Sequence, residues 1–190
     1  MKIGVISDTH GKLHPGVFEA FSGVDHILHA GDIGDEDILD ELKAIAPLTA
    51  VAGNIDNFRL GPAREHARVT LGGMKFFLTH ILDRPQSPRA EVAALLKKEP
   101  ADVVIFGHSH LPHDERIGGV WYFNPASAGP RRFDYPCSVG IIERKGTGWV
   151  ARHVGLDDRS IAVLAAGKHL NQLSRGAPTS THGMGMYDDE

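Results

Sequence analysis

Seven residues that can bind metal ions stand at polar turns of this sequence, each after a short apolar run: Asp8, His10, Asp32, Asn54, His80, His108 and His110. Carboxylates are hard oxygen donors, imidazoles are borderline nitrogen donors, and an asparagine adds a neutral carbonyl oxygen. None of these turns carries a cysteine. The mixture suits Mn²⁺, Fe²⁺, Co²⁺, Ni²⁺ or Zn²⁺ better than an all-oxygen Mg²⁺ or Ca²⁺ site.

The spacing within two of these turns favours convergence on one site. In Asp8-Thr9-His10 and His108-Ser109-His110 the donors alternate, so both side chains of a pair leave an extended backbone on the same side. Each turn taken alone is also compatible with a packed or solvated residue. Together they predict a common crevice, because loops at the carboxyl ends of strands meet there in an open sheet of αβ units.

The elements that position these turns alternate between strand and helix in the first half of the chain and favour hairpins in the second. Apolar runs predict strands at 2–6, 25–29, 48–52, 67–71, 74–78, 102–106, 120–124, 138–144 and 149–154. Helical spacing predicts helices at 15–21, 35–46, 89–98 and 160–173. Two packed sheets with helices outside would satisfy both halves, so the predicted class is α/β.

One domain is expected, because no linker or internal repeat divides the chain of 190 residues. We assign it to residues 1–175. The Gly-rich segment at 176–190 ends in acidic residues, and we expect this tail to be mobile.

Composition excludes several classes of function. The formal net charge of −4 argues against broad nucleic-acid binding, which needs clustered Lys and Arg. A phosphorylated substrate stays compatible, since bound metals would supply positive charge. No apolar run is long enough to span a bilayer, and the first strand is cut short at Ser7-Asp8, which argues against a signal peptide. The lone Cys137 excludes an intrachain disulfide and predicts a cytoplasmic location.

The motif set resembles the signature of the calcineurin-like metallophosphoesterases. The residues that carry the resemblance are Asp8-Thr9-His10, Gly31-Asp32, Gly53-Asn54, His80 and Gly107-His108-Ser109-His110. The stretches at 7–11, 29–33, 53–56 and 124–127 are similar to its small single-domain bacterial and archaeal phosphodiesterase branch. The resemblance covers residues 1–154. It implies a four-layer α/β/β/α sandwich of two mixed β-sheets flanked by helices.

The same resemblance implies roles for the seven residues. Asp8, His10 and His110 would hold a first cation. Asn54, His80 and His108 would hold a second, and Asp32 would bridge the two. The implied reaction is hydrolysis of a phosphodiester in a small or nucleotide-like substrate, by attack of a hydroxide that bridges two divalent cations about 3.5–4 Å apart. Mn²⁺ is the expected metal, with Ni²⁺, Fe²⁺, Co²⁺ and Zn²⁺ also compatible.

One position departs from the larger members of the family, which carry a histidine after the asparagine of this motif. Here Ile55 stands at that place and Asp56 follows. Leaving-group protonation therefore has no assigned donor. We predict a catalytic role for Asp56, together with Asp32 and Asn54, through water or by orienting a ligand, with a purely structural role as the alternative.

Substrate contacts are predicted for Asn54 and for Arg131. Arginine can bind a phosphate through two parallel hydrogen bonds, but a solvated surface arginine is the alternative at Arg131. His29 is interpreted as a packing residue or as one that bonds a neighbouring carbonyl. The Asn124-Pro125-Ala126-Ser127 stretch either borders the site or forms a simple turn.

Two other functions fit the same motif. A phosphomonoesterase could use the same metal centre, because the centre alone does not distinguish monoesters from diesters. A protein-binding scaffold is the second, since this branch also resembles the small retromer subunit. Exposed strand edges make a homodimer compatible with the sequence.

Overall fold

The computed structural model of the protein describes residues 1–56, 65–131 and 135–166. The strands are β1 (Lys2–Ile6), β2 (His26–His29), β3 (Leu48–Ala50), β4 (His66–Leu71), β5 (Met74–Thr79), β6 (Asp83–Arg84), β7 (Ser87–Pro88), β8 (Val103–Ile105), β9 (Pro112–Ile117), β10 (Val120–Pro125), β11 (Ser138–Lys145) and β12 (Gly148–Gly155). The helices are α1 (Gly16–Ala20), α2 (Glu36–Ile45), α3 (Ala90–Lys98) and α4 (Asp158–Ala166).

The larger strands of the described residues form two mixed sheets. Sheet A has the order β12-β11-β1-β2-β3, with parallel pairs at β1–β2 and β2–β3 and antiparallel pairs elsewhere. Sheet B has the order β4-β5-β8-β10-β9, in which β8 runs parallel to both of its neighbours. The predicted class, two mixed sheets flanked by helices, is confirmed.

Three apolar layers separate the four layers of secondary structure. Ile3 and Val5 of sheet A pack with Phe76 and Leu78 of sheet B in the central layer. A second layer joins the outer face of sheet A to α1 and α2, and a third joins the outer face of sheet B to α3. Both sheets are therefore covered on both faces, which explains why their strands read as short, nearly continuous apolar runs.

The helix α2 illustrates how the sequence sets the bounds of an element. The side chain of Asp35 caps its start by accepting a hydrogen bond from the backbone N–H of Asp37. Ile38 and Leu42 are buried on one face, as their spacing predicts. Pro47 follows the C-cap residue Ala46 and lacks the N–H that would continue the hydrogen-bonding pattern.

Three differences separate the fold from the sequence-based prediction. The strand β9 was not predicted, because its residues are mostly polar; it is an edge strand held by its pairing with β10. The short β6–β7 hairpin occupies a loop that carried no strand signal. The last helix begins at Asp158, two residues before its predicted start. Its predicted end at 173, the domain boundary at 175 and the tail at 176–190 lie outside the described residues.

Within the described part of the chain, no helix has both the length and the apolar character needed to cross a membrane.

Candidate metal centre

The predicted polar turns meet at the carboxyl ends of strands from both sheets, where backbone groups join them. The N–H of Asp8, after β1, donates to the carbonyl of Gly31, after β2, at 2.9 Å. The N–H of Gly107, after β8, donates to the carbonyl of His80, after β5, at 3.1 Å. The two sheets are linked here by the N–H of His108, which donates to Oδ2 of Asp8 at 3.1 Å. These bonds set the distances between loops that are far apart in sequence.

A first group of donors consists of Asp8, His10 and His110. One ligand atom from each lies within 4.8 Å of the others. Nε2 of His110 is 3.2 Å from Oδ1 of Asp8 and 3.3 Å from Nε2 of His10. These are the three residues to which the family resemblance assigned the first cation.

A second group is centred on Asp32 and His80, with Asp8 again within 4.8 Å. Nε2 of His80 lies 3.2 Å from Oδ1 of Asp32 and 3.1 Å from Oδ1 of Asn54. The other oxygen of Asp32, Oδ2, lies 3.9 Å from Nε2 of His10. The carboxylate of Asp32 therefore stands between the two groups, with one oxygen turned to each.

His108 lies at the rim of the second group. Its ring centroid is 5.3 Å from that of His80 and nearly perpendicular to it. Its side chain is exposed, and its nitrogen atoms belong to neither of the groups within 4.8 Å. The structure thus brings His108 next to the second group without the convergence that the other donors have.

The environment of His80 is suited to a metal ion. The Nδ1 of its ring lies 2.8 Å from the carbonyl oxygen of Ala30, which can only accept, so Nδ1 carries a proton and donates it. In the neutral ring the lone pair of Nε2 then points at the oxygens of Asp32 and Asn54. Three acceptors facing one another repel unless a cation or a proton lies between them. The donor set therefore fits a divalent cation.

The charges of the site lead to the same conclusion. Burial opposes ionisation of Asp8 and Asp32, but hydrogen bonds and the nearby charge of histidines outweigh it and lower the pKa of both carboxyls. Burial also opposes ionisation of His80, yet its contact with Asp32 and the charge of Asp8 raise its pKa. Oδ1 of Asp8 is buried and lacks a well-formed hydrogen bond, although Nε2 of His110 is near. Two buried anions with an unsatisfied oxygen call for bound positive charge.

Five of the seven predicted donors hold the backbone in the left-handed region: Asp8 (φ 55°), His10 (φ 50°), Asp32 (φ 52°), His108 (φ 68°) and His110 (φ 59°). Residues with a Cβ adopt this region at a cost of about 1 kcal/mol or more each. Such strain persists only where surrounding contacts enforce it, and it concentrates at functional sites. The backbone of the candidate centre therefore supports a functional role by an observation independent of residue type.

Two glycines allow the loops to approach closely. A Cβ on Gly53 would collide with Oδ1 and the backbone nitrogen of Asp32. A Cβ on Gly107 would collide with Oγ of Ser7 and lie 2.8 Å from Oδ2 of Asp8. Both glycines precede predicted donors, so the space they leave is part of the site.

The fully buried His29 forms hydrogen bonds with the loop after β1, at Thr9, and with the loop after β2, at Gly31. The N–H of Gly31 donates to Nδ1 of His29 at 3.1 Å, so in the neutral ring Nε2 carries the proton. That proton is donated to Oγ1 of Thr9 at 3.1 Å, and the Thr9 hydroxyl donates to the carbonyl of Ile33 at 2.9 Å. Burial lowers the pKa of His29 to about 4, which keeps it neutral. His29 is thus packed, as one of the two sequence-based interpretations has it, but its hydrogen-bond partners are a hydroxyl and a backbone N–H rather than a neighbouring carbonyl.

Asp56 supports the same loops through the backbone. Its carboxylate accepts N–H donors from Gly53 at 2.7 Å, Gly34 at 2.9 Å and Ile33 at 3.1 Å. The side chain is buried, and both of its oxygens are engaged. This arrangement favours the structural alternative over proton transfer by Asp56.

The Asn124–Ser127 stretch both turns the chain and borders the site. The side-chain amide of Asn124 donates to the carbonyl of Gly107 at 2.9 Å, and its oxygen accepts from the N–H of Ala126. The hydroxyl of Ser127 donates to the carbonyl of Asp8 at 3.0 Å. These bonds help to fix the loops that contain Gly107 and Asp8, both of which carry predicted donors.

Arg131 does not join the candidate centre. Its guanidinium donates to both carboxylate oxygens of Asp157, at 2.9 and 2.7 Å, and to Oγ of Ser160 and the carbonyl of Tyr135. Ser160 lies in the first half of α4. The guanidinium is therefore committed to anchoring α4, and the predicted substrate contact at Arg131 has no support in this geometry.

A cavity of about 420 Å³ opens beside the second group of donors. It runs from Asn54 and His80 to the start of β4, at His66, and the start of α3, at Glu91. No local sequence pattern links His66 to the site. Strand pairing makes that link, because His66 lies opposite Thr79, the residue before His80.

Comparison with known proteins agrees with the geometry. A family model described as the calcineurin-like phosphoesterase superfamily domain matches residues 1–147. A probable metallophosphoesterase from Methanocaldococcus jannaschii is 38% identical over an alignment of 133 positions that covers 67% of this chain and 68% of that protein. The phosphodiesterase YfcE from Escherichia coli is 29% identical over 191 aligned residues, covering 87% of this chain and 98% of YfcE.

Solved structures give the same result at the level of the fold. The structure of YfcE superposes with a TM-score of 0.62 at 26% identity and covers 84% of this chain and 96% of its own. Vacuolar protein sorting 29 from Cryptosporidium parvum superposes with a TM-score of 0.70 at 21% identity and covers 83% of this chain and 92% of its own. The latter likeness concerns the fold alone.

Proposed function

Because this chain belongs to the calcineurin-like phosphoesterase superfamily, we propose that it hydrolyses phosphodiester bonds of small or nucleotide-like substrates with the help of two divalent cations. The observation that carries the proposal is the position of Asp32, whose two oxygens face separate groups of donors at 3.2 and 3.9 Å. A carboxylate in that position can bridge two cations.

The proposed ligands of the first cation are Asp8, His10 and His110. Those of the second are Asn54, His80 and His108, with Asp32 shared. When bound, a pair of such cations would lower the pKa of a coordinated water and offset the negative charge that grows on the phosphoryl group. Mn²⁺ is our expected metal, with Fe²⁺, Co²⁺, Ni²⁺ and Zn²⁺ as alternatives, because the donors mix oxygen with nitrogen.

The residues of the chain itself contribute binding and orientation. The amide oxygen of Asn54 lies near His80, which leaves the amide N–H groups of Asn54 free to donate to a phosphoryl oxygen in our proposal. Asp56 and His29 orient the loops that carry Asp32 and Asn54 through the hydrogen bonds described above. We therefore propose positioning roles for both.

The leaving group has no assigned proton donor. Ile55 stands where larger members of the family carry a histidine, and its side chain is 46% exposed beside Asn54. We expect substrates with acidic leaving groups, such as aryl phosphodiesters, to react fastest, because their anions leave without a proton. Rates measured against leaving-group pKa should fall steeply; a flat dependence would indicate an efficient general acid.

The proposal is tested with protein stripped of metal and reloaded with Mn²⁺, using bis(p-nitrophenyl) phosphate. Asp32→Asn should lower kcat by about 10³-fold or more, since the shared ligand is lost. Asp40→Asn, at an exposed position of α2, is the matched control and should leave kcat unchanged. Metal analysis should find two equivalents in the wild type and fewer in Asp32→Asn. Equal rates from the wild type and Asp32→Asn, or a wild type that binds no metal at saturating Mn²⁺, would overturn the proposal.

The same assay addresses the alternatives. p-Nitrophenyl phosphate tests the phosphomonoesterase, and a higher kcat/KM for this monoester would favour it. A scaffold function predicts no hydrolysis of either ester; the full set of donors argues against it. We also propose a cytoplasmic location, which suits the buried free thiol of Cys137, and a homodimer, which sedimentation would test.

A further inference from the structure

The cavity beside Asn54 and His80 has a size typical of small-molecule sites. An ester whose phosphate lay at the candidate centre would have this cavity next to the second group of donors. Its walls include the apolar side chains of Ile81 and Val92, which can pack against a carbon skeleton. A phosphate alone would leave this volume empty.

The far end of the cavity presents acceptors. One ligand atom each from Glu65, His66 and Glu91 lies within 4.8 Å of the others. The two ring nitrogens of His66 are buried and have no hydrogen-bond partner among the described residues; the carboxylate of Glu91 is near, with Oε1 at 3.5 Å from Nε2. The ring stacks on Phe77 with centroids 5.5 Å apart. His66 is half-buried, with a side chain 20% exposed, but its ring nitrogens are buried and lack a well-formed hydrogen bond among the described residues, so a ligand in the cavity could complete them.

The charges around the cavity limit what that ligand can be. Glu65 and Glu91 are exposed carboxylates of the lining. Among the lining residues that the structure describes, the one lysine or arginine is Arg89, and it lies 3.6 Å from the carboxylate of Asp83, which offsets its charge. From these described residues a second anionic group on the substrate would meet net repulsion, whereas hydroxyl or ammonium donors would find acceptors.

We propose that this cavity binds the organic substituent of the phosphate ester, and that it selects an alcohol that donates hydrogen bonds and carries no negative charge. Amino alcohols and polyols share this chemistry. The inference rests on the proposed phosphoesterase function and narrows its substrate class. It disfavours nucleoside polyphosphates, whose additional phosphates would face Glu65 and Glu91.

The test uses the full chain loaded with Mn²⁺ and measures competitive inhibition of bis(p-nitrophenyl) phosphate hydrolysis by phosphate monoesters of one size class. Phosphoethanolamine and glycerol 1-phosphate should bind about tenfold more tightly than ethyl phosphate, which lacks donors, because each adds a hydrogen bond to a charged group. Phosphoglycolate, which adds a carboxylate, should bind more weakly than ethyl phosphate. Comparison of the inhibition constants of phosphoethanolamine and glycerol 1-phosphate shows whether the cavity prefers ammonium or hydroxyl donors.

Glu91→Gln and the double variant with Glu65→Gln should remove most of the advantage of phosphoethanolamine while leaving the inhibition constant of ethyl phosphate unchanged. Glu41→Gln, at an exposed position of α2, is the matched control and should preserve the preference. Equal binding of all four monoesters, or a preference that survives the double variant, would overturn this inference alone. A wild-type protein that does not hydrolyse the aryl diester would overturn the proposed function and this inference with it.

Discussion

The hairpin turns and the candidate centre both contain backbone in the left-handed region, but they use different residues there. At the β4–β5 and β9–β10 turns the chain enters the left-handed region at Gly72-Gly73 and Gly118-Gly119. At the candidate centre it does so at aspartates and histidines, among them Asp8. Glycine adopts this region without strain. The turns therefore use the relaxed residue, while the centre uses strained residues whose side chains can bind metal.

The surroundings of the two regions explain why the strain persists at one of them. A Cβ on Gly73, Gly118 or Gly119 would meet nothing within 4 Å, so the β9–β10 turn is open and imposes little. At the β4–β5 turn only Gly73 is open, because a Cβ on Gly72 would lie 2.7 Å from the ring of Trp149. The strained donors are held by backbone bonds between loops and by buried side chains such as His29 and Asp56. We therefore expect the conformation of the centre to depend on this buried support, and substitutions in the two regions should differ in their effects.

The largest effect is expected from Gly53→Ala, since a Cβ there would collide with Asp32. We expect a loss of about 3 kcal/mol in the free energy of unfolding from overpacking. Activity on the aryl diester should fall about 100-fold, because a small misplacement of a ligand is enough. Gly118→Ala, in an open turn at φ 58°, should lose only about 1 kcal/mol and keep full activity. Wild-type activity in Gly53→Ala would show that close approach of these loops is not needed at the centre.

The next effect concerns the dependence of stability on pH. The pKa of His29 is about 4 in the folded protein, below its ordinary value of 6.5. Between these values the unfolded chain takes up a proton that the folded chain does not, so stability falls as pH falls. Metal-free wild type should lose about 2 kcal/mol more between pH 7 and pH 5 than His29→Gln, which cannot titrate. Urea unfolding at both pH values measures this, and parallel curves would refute it.

A smaller effect on stability is expected at His108, which is exposed and has φ 68°. Comparing glycine with alanine there separates the cost of backbone strain from the loss of the imidazole. Metal-free His108→Gly should be more stable than His108→Ala by about 1 kcal/mol, because only alanine keeps the strained Cβ. Both variants lose the imidazole and should bind Mn²⁺ equally weakly. Thermal unfolding of the two proteins measures the difference, and an equal or reversed order would show that the backbone here is not strained.

The smallest effect is expected at Arg131, outside both regions. Arg131→Ala should leave KM for the aryl diester unchanged, because its guanidinium is bound to Asp157. The partly exposed pair should contribute about 1 kcal/mol or less to stability. Asp157→Asn, which breaks the same contact from the other side, should match it in chemical denaturation. A several-fold rise in KM in Arg131→Ala alone would restore the substrate contact predicted from the sequence.

Most of the fold was predictable because local patterns and burial agree. The apolar runs of β1, β5 and β8 mark strands that are covered on both faces, and the capped, amphipathic α2 marks a helix. The edge strand β9 was missed since its pattern is polar and its partner alone makes it a strand. The partners of His29 and Asp56 were not predictable, because Thr9, which bonds His29, and the N–H groups of Ile33 and Gly34, which bond Asp56, lie in other loops.

Residue type and order alone predicted the candidate donors, because metal chemistry restricts ligands to a few side chains and each of these stands after a predicted strand. The sequence could offer a substrate contact at Arg131 only as a hypothesis, and in the structure the guanidinium is paired with Asp157 instead. Only the tertiary structure determined that Asp32 lies between two groups of donors and that His66 borders the same cavity. Those facts depend on how strands far apart in the chain pair and stack, and distances across a sheet leave no trace in local sequence.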